Sequence, residues 1–119
     1  TNELTVKESW ARPNFGPNGA AYLKIKNTGD QKRHLIGAAS PLADRVELHN
    51  HSHENGIMKM RRLIDGVEIK PDEEVSFQPA GKHIMLFGMK KKLKQGESYP
   101  ITLKFKDGKE QEVIIKIKK

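Results

Sequence analysis

Apolar and polar residues alternate with a period of two over most of the chain. In an extended backbone that spacing puts apolar side chains on one face and polar ones on the other. The alternation predicts strands over residues 4–11, 20–27, 34–39, 45–51, 57–64, 67–69, 74–78, 83–89, 99–106 and 111–117. The last is the clearest: Val113, Ile115 and Ile117 face one way, and Glu112, Ile114, Lys116 and Lys118 the other. Turn-forming residues punctuate the pattern at Asn27-Thr28-Gly29-Asp30, His53-Glu54-Asn55-Gly56, Asp65-Gly66, Gly81-Lys82 and Asp107-Gly108. Residues 12–19 form a loop rich in Pro and Gly, and residues 41–44 suit a short turn or one helical turn. No long amphipathic helix, internal repeat or low-complexity segment is present. Many short strands with regularly spaced turns imply an all-β domain, an antiparallel sandwich or barrel of about eight to ten strands.

At 119 residues the chain makes one domain, residues 1–119, large enough to fold around its own core without covalent staples. No apolar run approaches the roughly 18 residues of a membrane-spanning helix, so membrane insertion is not expected. The absence of cysteine excludes disulfides, thiolate-held zinc, iron–sulfur clusters and a cysteine nucleophile, and it suits an oxidising compartment. The opening Thr1-Asn2-Glu3-Leu4 has neither the basic nor the apolar region of a secretion signal. Lys and Arg number 22 against 15 Asp and Glu, a net charge of +7 with neutral histidines, which favours acidic partners. The lysines gather late, beginning with Lys90, Lys91, Lys92 and Lys94. The plain reading of such a run is a solvated face, and the functional one is a docking surface for an acidic protein. No aromatics interleave the lysines and no nucleic-acid-binding signature occurs, so nucleic acid is not an expected partner. A monomer is expected.

The chemistry concentrates elsewhere. All four methionines and four of the five histidines lie between positions 49 and 89. One group is His49, His51 and His53, followed by Met58 and Met60; the other is His83, Met85 and Met89. The first group reads as a hairpin. With His53-Glu54-Asn55-Gly56 as the loop, Ser52 faces Ile57, His51 pairs with Met58 and His49 with Met60, giving a two-by-two patch on one face. A two-residue loop would instead pair His51 with Met60 and displace His49. In the second group His83 and Met85 share a face that Phe87 and Met89 continue, while Ile84 and Leu86 take the opposite face toward the core. Thioether sulfur is soft and imidazole borderline, so the donor set suits Cu(I) and suits Mg²⁺, Ca²⁺ or Mn²⁺ poorly. Without Cys there is no thiolate for a blue-copper electron-transfer site. The site would therefore carry copper rather than cycle it. Any single strand Met is more simply core filler, and His34 and His53 are more simply surface or satisfied polar residues. Trp10 reads as a core or sheet-edge anchor. No Gly-x-Ser-x-Gly elbow, glycine-rich phosphate loop or pair of catalytic carboxylates is visible.

The spacing His49, ten residues, Met60, then 22 residues and His83-Ile84-Met85 resembles the His-x10-Met-x21-His-x-Met signature of periplasmic copper(I) chaperones, the PCuAC family. Flanking segments are similar as well, among them Val46-Glu47-Leu48-His49, Gly56-Ile57-Met58-Lys59-Met60-Arg61 and Leu86-Phe87-Gly88-Met89-Lys90. The resemblance implies a cupredoxin-like β-sandwich with Cu(I) held near its surface by His49, Met60, His83 and Met85. It also implies an extracytoplasmic protein whose secretion signal lies outside this sequence. The copper recipient it implies is cytochrome c oxidase subunit II, whose CuA centre would be assembled, or a Sco-type protein. The second spacing is one residue longer than the signature, which fits an added loop residue between Asp65 and Lys82. His51 stands where many relatives carry Met, so His51, His53 and Met58 are candidates for an additional site, suited to Cu(II). Lys90, Lys91, Lys92 and Lys94 are the candidate partner-docking residues. Two rival readings remain: a secreted β-sandwich interaction module without metal, binding an acidic partner through its basic face, and a copper-dependent enzyme, for which no substrate is indicated.

Overall fold

The computed structural model describes residues 4–13, 16–54, 56–63, 66–79 and 81–118, and for residues 51–54 and 58–61 it describes the backbone. Among the described residues ten strands follow one another: β1 (Leu4–Ala11), β2 (Gly19–Asn27), β3 (Arg33–Ala39), β4 (Arg45–Glu54), β5 (Ile57–Arg62), β6 (Val67–Ile69), β7 (Glu74–Phe77), β8 (His83–Phe87), β9 (Ser98–Phe105) and β10 (Glu110–Ile117). Among the described residues there is no helix. The strands join in the order β5-β4-β8-β2-β1-β10-β9-β3-β6, a curled sheet. Strand β7 also pairs with β2, because β2 gives its first residues to β8 and its later ones, Leu23–Lys26, to β7.

Period-two alternation generates the core. In β10, Val113, Ile115 and Ile117 are buried, while Glu112, Ile114 and Lys116 between them are exposed. In β9, Tyr99, Ile101, Leu103 and Phe105 are buried in the same way. Leu23, Ile25, Leu35, Ile69, Ile84 and Leu86 complete a single apolar cluster. Burying each such side chain contributes about 1.5–3 kcal/mol. Asn27, fully buried at the end of β2, is satisfied: its amide donates to the carbonyls of Gln31 (2.7 Å) and Ile69 (3.0 Å), and its oxygen accepts from Gly29 N–H (3.0 Å).

Three expectations are corrected. The sheet is mixed rather than purely antiparallel: β1 and β10 run parallel, with Trp10 opposite Lys116 and Ala11 opposite Ile117. Trp10 is neither core nor sheet edge. Strand β1 lies mid-sheet, and the half-buried indole packs on the outer surface against Tyr22, with ring centres 4.9 Å apart. Met89 does not continue the face of His83 and Met85. Strand β8 ends at Phe87, Gly88 turns the chain with φ 68°, and Met89 packs against the core cluster.

Candidate metal centre

Strands β5, β4 and β8 form one margin of the sheet. Between β4 and β8 the register sets Arg45 opposite Phe87, Glu47 opposite Met85 and His49 opposite His83. Between β4 and β5 it sets His49 opposite Arg62, His51 opposite Met60 and His53 opposite Met58. Directly opposed residues share a face. All the candidate positions, 49, 51, 53, 58, 60, 83 and 85, thus lie on one face of three adjacent strands. Ile84 and Leu86 of β8 and Leu48 of β4 point the other way into the core and fix the backbone beneath them.

This is the register of a two-residue loop. The four-residue loop, with its His49–Met60 and His51–Met58 pairs, is corrected: Glu54 pairs with Ile57, and Gly56 takes φ 79°. Met60 stands opposite His51 and diagonal to His49, a separation of about 7–8 Å between positions that long side chains cross. The side chains of His51, His53, Met58 and Met60 lie outside the described residues.

The two described histidines come together, with ring centres 5.7 Å apart. They are not at an open surface, as an outward His-x-Met step suggests: His49 is 8% exposed and His83 4%. Phe87, 5.9 Å from the His49 ring, helps to cover them. Met85 is half-buried beside them. Each ring has a nitrogen within hydrogen-bond distance of a protein oxygen. Nδ1 of His83 lies 3.2 Å from the carbonyl oxygen of Gly81. A carbonyl only accepts, so in the neutral ring Nδ1 carries the proton and Nε2 the lone pair. His49 is arranged the opposite way. Its Nε2 donates to Oε1 of Glu47 at 2.9 Å, which in the neutral ring leaves the lone pair on Nδ1. That Nδ1 is buried without a hydrogen-bond partner among the described residues.

A buried acceptor left unpaired costs about 1–3 kcal/mol, and a metal ion would remove that cost. The spacing fits one ion. A metal–nitrogen bond of about 2.0 Å added to a ring radius of about 1.1 Å lets two imidazoles share an ion with centres up to about 6 Å apart. Among the described residues no three His, Asp or Glu side chains form a metal-holding group. Met85 and the His and Met positions on β4 and β5 are the remaining candidate donors, thioether and imidazole.

The pattern reading missed Glu47, although it precedes His49 by two residues and so shares its face. Its side chain is 9% exposed. Oε2 meets Arg45 Nε at 2.9 Å and an Arg62 guanidinium nitrogen at 3.5 Å. The hydrogen bond from His49, joined by the charges of Arg62 and Arg45, holds this carboxyl below the usual carboxylate range, against the opposing effect of burial. The Arg45 guanidinium also lies over Phe87, 4.4 Å from the ring centre. Beside Met85 a cleft of about 350 Å³ opens, lined by Arg12, Pro13, Asn18, Ala20 and Tyr22 among others. Lys90, Lys91, Lys92 and Lys94 are exposed and follow the far end of β8 from His83, with Lys91 paired to Glu97 at 3.2 Å. His34 lies on β3, away from this margin.

Residues 4–117 match the family described as "Putative lipoprotein LpqE-like". The chain belongs to this family, the PCuAC family. A relative, "Putative lipoprotein Lxx21020" of Leifsonia xyli subsp. xyli (strain CTCB07), is 32% identical over 115 residues, covering 97% of this chain and 69% of its own length. The solution structure of Cu(I)-DR1885 from Deinococcus radiodurans is 36% identical with a TM-score of 0.70, covering 98% of this chain and 76% of that one. The apo PCuAC domain from PmoF1 superimposes with a TM-score of 0.79 at 22% identity, covering 98% and 93% of the two chains. The architecture is thus the cupredoxin-like β fold of PCuAC domains. Among the described residues no helix is long and apolar enough to cross a membrane.

Proposed function

We propose that this PCuAC chain is an extracytoplasmic copper chaperone, not an enzyme, carrying one Cu(I) on the β5-β4-β8 margin. The observation that carries the reading is the buried, unpartnered Nδ1 of His49 beside His83, on a face shared with Met85. His49 and His83 supply borderline nitrogen donors, and Met85 and Met60 supply soft sulfur donors, a combination suited to Cu(I). Cu(I) bound by the DR1885 protein and the lipoprotein name of the family support the cargo and the compartment. The remaining positions of the hairpin, His51, His53 and Met58, extend the donor face and form a second site suited to Cu(II).

Release proceeds by ligand exchange: incoming donors of a recipient replace the neutral thioethers one at a time, with no thiolate to protonate. The cleft beside Met85 gives such a donor an approach. The recipient is cytochrome c oxidase subunit II, at its CuA centre, or a Sco-type thiol protein. The exposed Lys90, Lys91, Lys92 and Lys94 steer encounter with an acidic surface, so transfer slows as salt is added.

Anaerobic Cu(I) competition against a chromogenic chelator tests the site. Wild type should take one tight equivalent, and a His83→Ala/Met85→Ala variant should lose it while keeping the strand circular dichroism. No tight binding by wild type would refute the copper reading and leave the basic interaction module in its place.

A further inference from the structure

We propose that Glu47 is the positioning residue of this site: its carboxylate locks the His49 imidazole with the proton on Nε2 and thereby assigns Nδ1 as the copper donor. The inference rests on the copper reading above and adds to it which atom binds and what enforces the choice. A neutral imidazole has two tautomers, and rotation about its second side-chain torsion exchanges the positions of its nitrogens. The ring alone therefore leaves the donor atom undetermined. Glu47 removes that freedom. Oε1 accepts from Nε2–H at 2.9 Å, while Oε2 is engaged separately by Arg45 at 2.9 Å and Arg62 at 3.5 Å.

Both arginines engage Oε2, which leaves Oε1 turned to the imidazole as a hydrogen-bond acceptor. Arg45 is itself seated over Phe87, whose ring borders His49. Imidazole, carboxylate, guanidinium and phenyl ring thus form a closed circuit around His49. A carboxylate that served only to pair the arginines would have no reason to be 9% exposed with one oxygen turned to an imidazole. Glu47 also lies directly opposite Met85, so the lock sits among the proposed donors and not at the rim. His83 has the complementary arrangement, Nδ1 to the Gly81 carbonyl, but there the lock is backbone and no side-chain substitution removes it. One histidine therefore binds through the ring nitrogen nearer the backbone and the other through the farther one. A carboxylate holding the distal nitrogen of a metal-binding histidine fixes its orientation and raises its basicity, and losing such a partner typically lowers metal affinity 10–100-fold.

The test uses the intact protein, with imidazole ¹⁵N spectra of the copper-free form and Cu(I) competition on the same samples. Wild type should show His49 as a single Nε2–H tautomer. Glu47→Leu should mix the tautomers and weaken Cu(I) binding about 10–100-fold. Glu47→Gln turns its amide oxygen to Arg45 and Arg62, which only donate, and so presents its NH2 to the imidazole; the tautomer should shift to Nδ1–H and Cu(I) binding should weaken as in Glu47→Leu. Glu47→Asp keeps the charge but withdraws the acceptor by one methylene, and it should behave like Glu47→Leu. The His83 signals, fixed by backbone, should stay unchanged in every variant and report that the fold is intact. If Glu47→Leu and Glu47→Asp retain the wild-type tautomer and affinity, Glu47 is not the positioning residue. If wild type binds no Cu(I), the metal reading fails and takes with it the purpose assigned to Glu47. The spectra still show in that case whether the carboxylate sets the tautomer.

Discussion

Strand β8 separates two kinds of residue by one position, and Met85→Ala compared with Leu86→Ala measures that separation. Leu86 is fully buried in the core cluster, whereas Met85 is half-buried on the opposite face. Truncating a buried Leu removes its transfer free energy and leaves a cavity, about 2–5 kcal/mol together. Unfolding entropy of about 2.1 cal/mol/K per residue gives roughly 250 cal/mol/K for a chain of 119 residues. A mid-range loss of about 3 kcal/mol then lowers Tm by about 12 °C. Met85 gives up only part of the about 1.5–3 kcal/mol of a fully buried side chain. A loss of about 1 kcal/mol corresponds to about 4 °C. Copper affinity should move the other way. Met85→Ala removes a proposed donor and should weaken Cu(I) binding by more than the roughly 100-fold upper range for losing a supporting residue, while Leu86→Ala, as long as it is folded, keeps its affinity. Thermal melts of the copper-free proteins and anaerobic chelator competition give both numbers. Were Met85→Ala to melt as low as Leu86→Ala and still bind Cu(I) normally, Met85 would be a packing residue and the assignment of faces on β8 would be wrong.

Gly88→Ala should destabilise by about 1–3 kcal/mol, read from the denaturant midpoint, because φ is 68° there and a Cβ would collide with the Asp44 carboxylate; an unchanged midpoint would contradict this. Glu97 has a carboxyl held below its ordinary range, first by the Lys94 backbone N–H and then by Lys91. A depressed carboxylate contributes stability above its unfolded value, and the contribution disappears as pH falls through the folded one. Wild type and Glu97→Gln should therefore differ in Tm near neutrality and converge in acid; a difference that persists at pH 2 would refute the pairing. Peroxide should abolish Cu(I) binding by converting the proposed donors Met60 and Met85 to sulfoxides, with no cysteine to be oxidised first. Full affinity after complete oxidation of Met60 and Met85, checked by mass spectrometry, would exclude them as donors.

Alternation made most of the fold legible, since β1 and β6 keep their expected bounds and the other strands differ only at their ends. The hairpin register was legible too, in a signal outweighed by the four-residue loop. Asn55-Gly56 is a dipeptide suited to a two-residue turn whose twist matches the flanking strands, and Glu54 and Ile57 pair across it. What alternation does not encode is pairing between distant segments. Nothing in the polar pattern of 4–11 or 111–117 shows that they run side by side in the same direction. The nearness of His49 to His83 likewise depends on β4 meeting β8 across the segments between them. The resemblance to a spaced His and Met signature pointed to that meeting, but a signature of donors carries no trace of Glu47. A carboxylate on a strand reads as solvent-facing until the register sets it between two arginines and an imidazole.

The parallel seam between β1 and β10 has a kinetic consequence. Beside the paired Trp10–Lys116 and Ala11–Ile117 positions, the Ser9 hydroxyl donates to the Ile114 carbonyl at 2.9 Å and Lys118 N–H to the Ala11 carbonyl at 2.8 Å. This seam joins the half of the sheet that holds the His and Met positions, β5-β4-β8-β2-β1, to the half formed by β10-β9-β3-β6. Strand β3 lies between the first strands in sequence yet belongs to the second half, so neither half closes from a contiguous stretch of chain. Domains dominated by such distant pairings fold in milliseconds to seconds, against microseconds to milliseconds for helical bundles. The second half cannot close until β9 and β10 have been made, so refolding should be slow beside that of a helical bundle of equal length.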